Sequence, residues 1–145
     1  WQAARSVVKW AGEKAERGRE RWAKLVLAAV KVSRRSWAPE VWPVAGTAEL
    51  ADRVRAWRGA GALVLVLHED AEDRFVEAVR SAALDLSGDS EVVLVVGPEG
   101  GIAPEEIAAL TEAGAKPVLL GSGVLRSSAA GPAAIAALNA LTGRW

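Results

Sequence analysis

The chain has 145 residues, 51% of them apolar and 25% charged, which suits one folded domain with a real core and argues against a disordered tail or two domains of ordinary size. With no cysteine and a single histidine, His68, disulfides, thiolate chemistry and a histidine-rich metal centre are excluded, so no metal is expected. The formal net charge is zero, but residues 1–58 hold 13 Lys and Arg against 6 Asp and Glu, and the rest of the chain holds 5 against 12.

In chain order, Ser6 to Trp10 is a short β-prone run, and Glu13 to Arg35 then reads as a long helix. On that helix Trp22, Leu25, Val26, Ala29 and Val30 recur at spacings of three and four, which places them on one face, expected to be core. Trp37, Val41, Val44, Pro39 and Pro43 mark an exit loop and a short extended piece. Trp22, Trp37, Trp42 and Trp57 are expected to fill or cover the core rather than to stack on bases. Thr47 is placed to cap a helix from Ala48 to Arg58, although Leu50 stands where a capping box needs an acid or amide. After the turn at Gly59 to Gly61, the aliphatic run Leu63 to Leu67 reads as a strand buried on both faces of a parallel sheet. Asp70 to Leu84 is a predicted helix, Val92 to Val96 a second buried strand, Pro104 to Ala113 a helix, Pro117 to Leu120 a third strand, and Ala129 to Thr142 an Ala-rich closing helix. Strands alternating with helices specify an α/β fold, a parallel sheet covered on both faces in three layers. The apolar runs are far shorter than the roughly 20 residues that span a bilayer, and no signal peptide is visible, so a cytoplasmic location is expected.

A basic N-terminal half can hold a phosphate backbone that the acidic remainder would repel, so nucleic acid is expected on the N-terminal side. A solvated helix surface would carry a similar mixture of charges. In open parallel sheets ligands bind beyond the carboxyl ends of the strands. The loops to search are therefore His68-Glu69-Asp70, Gly97-Pro98-Glu99-Gly100-Gly101 and Gly121-Ser122-Gly123. The second loop has neither the glycine order of a dinucleotide site nor the Lys-Ser/Thr ending of a P-loop, so its ligand is not expected to be held by phosphates. Its glycines suit either close backbone approach to a nucleoside or a tight strand-to-helix turn needing glycine for shape alone.

The run Val95-Val96-Gly97-Pro98-Glu99-Gly100-Gly101-Ile102-Ala103-Pro104-Glu105-Glu106, followed by Leu119-Leu120-Gly121-Ser122-Gly123-Val124-Leu125-Arg126, resembles the RsmE family of 16S ribosomal RNA uridine-N3 methyltransferases. Upstream, Trp1 to Ser6, Ser33-Arg34-Arg35 and Pro39-Glu40-Val41 resemble the same family, so the likeness covers nearly the whole chain. The resemblance implies a single SPOUT-like methyltransferase domain over residues 1–145, with a C-terminal trefoil knot, S-adenosylmethionine as cofactor and a homodimer acting on 16S ribosomal RNA or the small ribosomal subunit. It carries cofactor binding onto Leu67, His68, Gly97, Pro98, Glu99, Gly100, Gly101, Leu119, Leu120, Gly121, Val124, Leu125 and Arg126. Arg126 is the candidate to stabilise charge on the uridine carbonyls when the N3 proton leaves; the alternative is a salt bridge that pins the knot. Glu99 is the second catalytic candidate, orienting the base or Arg126, or else stabilising the turn. His68 is also compatible with simple packing. Arg34 and Arg35 are the candidate RNA contacts.

The chain departs from the family pattern in three ways. The N-terminal RNA-binding domain and the first strand and helix of the methyltransferase domain are expected before the point where Trp1 stands. Ser127-Ser128-Ala129-Ala130 replaces the family's Thr-Glu-Thr-Ala or Thr-Ser-Thr-Ala. On the long helix an acid and an amide of the family give way to Ala28 and Val32, apolar replacements that suggest burial or an altered surface. With no Met or Cys in the chain, the pattern is that of a trimmed or engineered domain. Three readings stay open: an active RNA methyltransferase, a cofactor-binding domain that does not hold RNA, and an inactive knotted scaffold.

Overall fold

The computed structural model describes residues 1–82, 84 and 90–144. Among the described residues five helices and three strands follow one another as α1 (Gly12–Ser33), α2 (Thr47–Gly59), β1 (Leu63–Leu67), α3 (Phe75–Ser81), β2 (Val92–Val96), α4 (Pro104–Glu112), β3 (Lys116–Val118) and α5 (Ser127–Leu141). The strands form a parallel sheet in the order β2-β1-β3. Its register pairs Leu63 with Val92 and Leu67 with Val96 on one side of β1, and Leu65 with Lys116 and Leu67 with Val118 on the other. All three strands therefore end at the same edge.

Side chains alternate across the sheet, and helices cover both faces, which is why β1 and β2 are unbroken aliphatic runs. Val64, Val66 and Val95 face one way and pack with Leu50, Val54 and Leu110 of α2 and α4. Leu65 and Val118 face the other way and pack with Phe75, Val79 and Ala134 of α3 and α5. The expected three-layer α/β sandwich with a parallel sheet is the fold observed.

Several local expectations are corrected. Ser6 to Trp10 forms no strand; it is a bend in which Lys9 Nζ donates to the carbonyls of Ala3 and Ala4 and the Trp10 N–H donates to Gln2 Oε1. Helix α1 stops at Ser33, whose hydroxyl donates back to Ala29 O, and Arg34 turns the chain in the left-handed region at φ 53°. Its apolar stripe is not core: Trp22 is 57% and Leu25 is 54% exposed, and Gly18 is the buried residue of the helix. Periodicity reports which side chains share a face, whereas what covers that face is a tertiary matter. The helix is docked at its start, where Trp10 lies across Gly18 and Arg19 donates to Val41 O at 3.4 Å.

The cap of α2 is Gly46 rather than Thr47, so the third helical residue is Glu49, whose carboxylate accepts the Gly46 N–H at 2.9 Å. Thr47 is committed elsewhere, to Trp1 and Glu106. Helix α3 is shorter than Asp70 to Leu84 because the residues before it pair with the strand edge: Phe75 N–H donates to Leu119 O at 2.9 Å, and Leu119 N–H to Asp73 O at 2.8 Å. The same pairing ends β3 at Val118, two residues before the expected Leu120. Helix α5 starts at Ser127 rather than Ala129. Of the tryptophans, Trp57 packs on the core and stacks with Trp42 at 6.1 Å, with Arg53 over the Trp42 ring at 4.6 Å. Trp22 and the 83% exposed Trp37 neither fill nor cover it. Among the described residues no helix is long and apolar enough to cross a membrane.

Candidate functional site

The three post-strand segments converge beyond the carboxyl edge of the sheet and enclose an open cleft of about 360 Å³. This volume falls in the range of small-molecule sites, roughly 300–1,000 Å³. Leu67, His68 and Glu69 enter it from the end of β1, Val96 to Glu99 from the end of β2, and Leu119 to Ser127 from the segment between β3 and α5. Ile102 and Ala130 complete the wall. The lining is largely aliphatic, with polar groups at the mouth, the composition that shields a ligand while fixing its orientation.

His68 carries the sheet into the cleft, because its N–H donates to Val118 O at 3.1 Å and prolongs the pairing of β1 with β3. Its Nδ1 accepts the Asp70 N–H at 3.2 Å, so the half-buried ring is fixed by its own loop. In the second loop the glycines serve shape. A Cβ at Gly97 would stand 2.6 Å from Ile102 Cγ1, and one at Gly100 would stand 2.8 Å from Arg5 O. Gly101 adopts φ 74° and donates its N–H to Pro98 O at 2.9 Å, closing the turn. Gly121 and Gly123 differ, since a Cβ at either would meet nothing within 4 Å while both residues line the cleft. A Cβ at either would stand in open space.

Most residues expected to bind cofactor are thus on one wall or another: Leu67, His68, Gly97, Pro98, Glu99, Leu119, Leu120, Gly121, Val124, Leu125 and Arg126. Gly100 and Gly101 are not; they shape the loop from behind, against Arg5. Glu69, Ser122 and Gly123 of the searched loops also line the cleft, as do Val96, Ile102, Ser127 and Ala130, which had no cofactor role assigned and whose position next to the three loops is the signal that would have found them. Arg126 is exposed at the N-terminal cap of α5, and its carbonyl accepts the Ala129 and Ala130 N–H groups at 2.8 and 2.9 Å. Among the described residues its guanidinium joins no ion pair, so it is not spent on a salt bridge. Glu99 is also exposed. Arg34 and Arg35 stand apart, in a separate open hollow with Ser36, Trp37, Ala38 and Pro39. Ala28 and Val32 are exposed, Val32 at 86%, so the apolar replacements on α1 do not reflect burial within this chain.

A carboxylate that sequence reasoning passed over anchors the second loop. Glu106, 4% exposed, accepts the Ala4 N–H at 3.0 Å, the Thr47 hydroxyl at 2.5 Å and the Ala103 N–H at 3.2 Å. Burial opposes its charge, but these three hydrogen bonds and the nearby Lys9 outweigh that and hold its carboxyl below the usual carboxylate range. It joins the start of α4, directly after the glycine loop, to the start of α2 and to the N-terminal segment.

With this geometry in view, the sequence pattern of the family described as RNA methyltransferase domain matches residues 1–139. The chain belongs to that family. This methyltransferase domain is 48% identical over all its 145 residues to the Ribosomal RNA small subunit methyltransferase E of Mycobacterium bovis, of which it covers 53%. It is 32% identical over 139 residues to the protein of that name from Bacillus subtilis, covering 96% of this chain and 53% of the relative. The resemblance to the RsmE family is borne out. Among solved structures, a Ribosomal RNA small subunit methyltransferase E from Neisseria gonorrhoeae bound to S-adenosyl methionine superposes with a TM-score of 0.76 at 29% identity, over 96% of this chain and 53% of the other. A putative methyltransferase from Legionella pneumophila in complex with the cofactor SAM gives 0.77 at 29% identity, over 95% and 52%. The chain spans about half the length of the curated relatives it matches.

Proposed function

We propose that this methyltransferase domain binds S-adenosylmethionine in the cleft beyond the sheet edge and transfers its methyl group to N3 of a uridine in 16S ribosomal RNA. The observation that carries the reading is the convergence of the three loops on one largely apolar cleft in which Gly121 and Gly123 leave open space. The residues present fit the cofactor. Leu67, Val96, Ile102, Leu119 and Leu120 offer apolar walls for an adenosine, and main-chain groups of the glycine-rich segments offer hydrogen bonds.

When bound, S-adenosylmethionine supplies an activated methyl on a sulfonium, whose departure as a neutral thioether needs no acid or base. The work left to the protein is positioning and electrostatics. The aliphatic walls exclude water from one side of the reacting groups. On the acceptor, the N3 proton passes to solvent as the methyl group arrives; its loss places charge on the flanking carbonyl oxygens, and the exposed guanidinium of Arg126 at the cleft wall, which joins no ion pair among the described residues, is the group to stabilise it. Glu99 at the same mouth orients the base or Arg126.

The reading extends to a C-terminal trefoil knot of SPOUT type, a homodimer, and cytoplasmic work on the small ribosomal subunit with Arg34 and Arg35 toward the RNA. The family resemblance supports the knot, and the uncovered stripe of Trp22 and Leu25 on α1 supports a further protein surface packed there. The inactive-scaffold alternative is not favoured, because the family pattern runs through residues 1–139 and the cleft is intact.

A tritiated-methyl assay on unmodified small ribosomal subunits tests the function. The wild-type protein should label the RNA, and Arg126→Ala should lower transfer about 100-fold or more while leaving unchanged the S-adenosylmethionine affinity, to which Arg126 contributes through its main chain. Equal transfer by Arg126→Ala would refute its role, and no labelling by the wild type would refute the function.

A further inference from the structure

Residues 2–6 form no helix or strand, yet they are clamped from several sides. Gln2 N–H donates to Ala45 O at 2.9 Å and Ser6 N–H to Ala3 O at 3.1 Å. Ala4 N–H donates to Glu106 at 3.0 Å, while Lys9 Nζ holds the carbonyls of Ala3 and Ala4 at 3.2 and 2.8 Å. Between these bonds lies Ala3, 1% exposed. The clamp presses the Arg5 backbone against the glycine loop so closely that a Cβ on Gly100 would stand 2.8 Å from Arg5 O and 3.1 Å from Arg5 Cβ.

The Arg5 side chain behaves oppositely to its backbone. It is exposed, and among the described residues it joins no ion pair and makes no side-chain hydrogen bond. Its Nη1 lies 3.8 Å from the place a Gly101 Cβ would occupy, with Glu69 Oε1 at 3.5 Å from the same point. The guanidinium therefore stands over the outside of the loop whose Gly97, Pro98 and Glu99 line the cleft. Glu69 and Glu99 at the mouth would by themselves repel a nucleic-acid strand, so an approach of RNA needs positive charge there.

We propose that Arg5 binds a backbone phosphate of the RNA strand beside the nucleotide being methylated, and so sets the register of the acceptor over the cleft. This rests on the RNA methyltransferase reading above. A planar guanidinium on a fixed backbone suits bidentate phosphate contact. The phosphate is favoured over the cofactor's carboxylate because Arg5 lies outside the cleft lining. Arg5 is then a binding residue that acts through position, not on the reacting atoms.

The test compares wild type, Arg5→Gln and Arg5→Lys in the complete protein, with unmodified small ribosomal subunits as substrate. Arg5→Gln should raise the KM for RNA about ten-fold, with kcat little changed and Arg5→Lys recovering part of the loss. The slope of log affinity for RNA against log salt should fall by about one in Arg5→Gln. S-adenosylmethionine affinity and Tm should match the wild type. An unchanged KM and salt slope would overturn the proposal, as would a loss of cofactor affinity, which assigns Arg5 to the carboxylate, or a lowered Tm matching the lost activity, which makes it structural. A wild-type protein that transfers no methyl group would instead overturn the functional reading itself.

Discussion

Glu106 shows how one side chain can hold a loop in place. Three donors, the Ala4 and Ala103 N–H groups and the Thr47 hydroxyl, converge on its two oxygens. A glutamine there would offer one carbonyl oxygen and turn an NH₂ toward a donor, so Glu106→Gln should lower unfolding free energy by about 1–3 kcal/mol. Because the folded carboxyl titrates below its unfolded value, this stabilisation is complete above the unfolded pKa, about 4.3, and is lost as pH falls through the folded value. Urea unfolding of wild type and variant should therefore show a gap at pH 7 that narrows below pH of about 4; a gap independent of pH would mean that the charge is not what matters. The residue was legible as one of two acids after Pro104, but its role was not. Its partners Thr47 and Ala4 lie 59 and 102 positions away, and no local pattern reports contacts at such separations.

Among the elements, β1 and β2 were legible to the residue, since five aliphatic positions in a row have one comfortable place, the middle of a covered parallel sheet. The shortfall of α3 and β3 was not legible, because Leu119, read as part of the third strand, pairs instead with Arg74, which carries no strand pattern. The long helix α1 was legible as a helix and misread as core. Its attachment depends on Gly18, where a Cβ would lie 1.2 Å from Trp10 Cζ3. Gly18→Ala should gain about 0.5–1 kcal/mol of helix propensity and lose about 1–3 kcal/mol through displaced packing. The loss wins, so the variant should have a lower Tm and red-shifted tryptophan emission as Trp10 leaves the helix. A raised Tm would show that the Trp10 contact contributes nothing.

At the scale of the molecule, the sequence placed the cleft well and its supports poorly. Motifs after strands revealed Gly97 and Gly121, because a parallel sheet puts all its carboxyl ends at one edge. They did not separate glycines that shape a turn from glycines that open space, a distinction that depends on how the loop folds Ile102 back on Gly97 and on Arg5 reaching Gly100 from far along the chain. The charge asymmetry is likewise partial: the basic half contributes Arg5 against the outside of the glycine loop, whereas Arg34 and Arg35 lie in another hollow.

Gly121 offers the most direct trial of the cofactor cleft. A Cβ there would meet no protein atom within 4 Å, and the residue lines the space assigned to the cofactor. Calorimetric titration of S-adenosylmethionine into wild type and Gly121→Val should give one site per chain for the wild type and at least about ten-fold weaker binding for the variant, with matching Tm values for the two proteins. Equal binding by a folded Gly121→Val protein, or no heat from the wild type, would contradict the placement of the cofactor in this cleft.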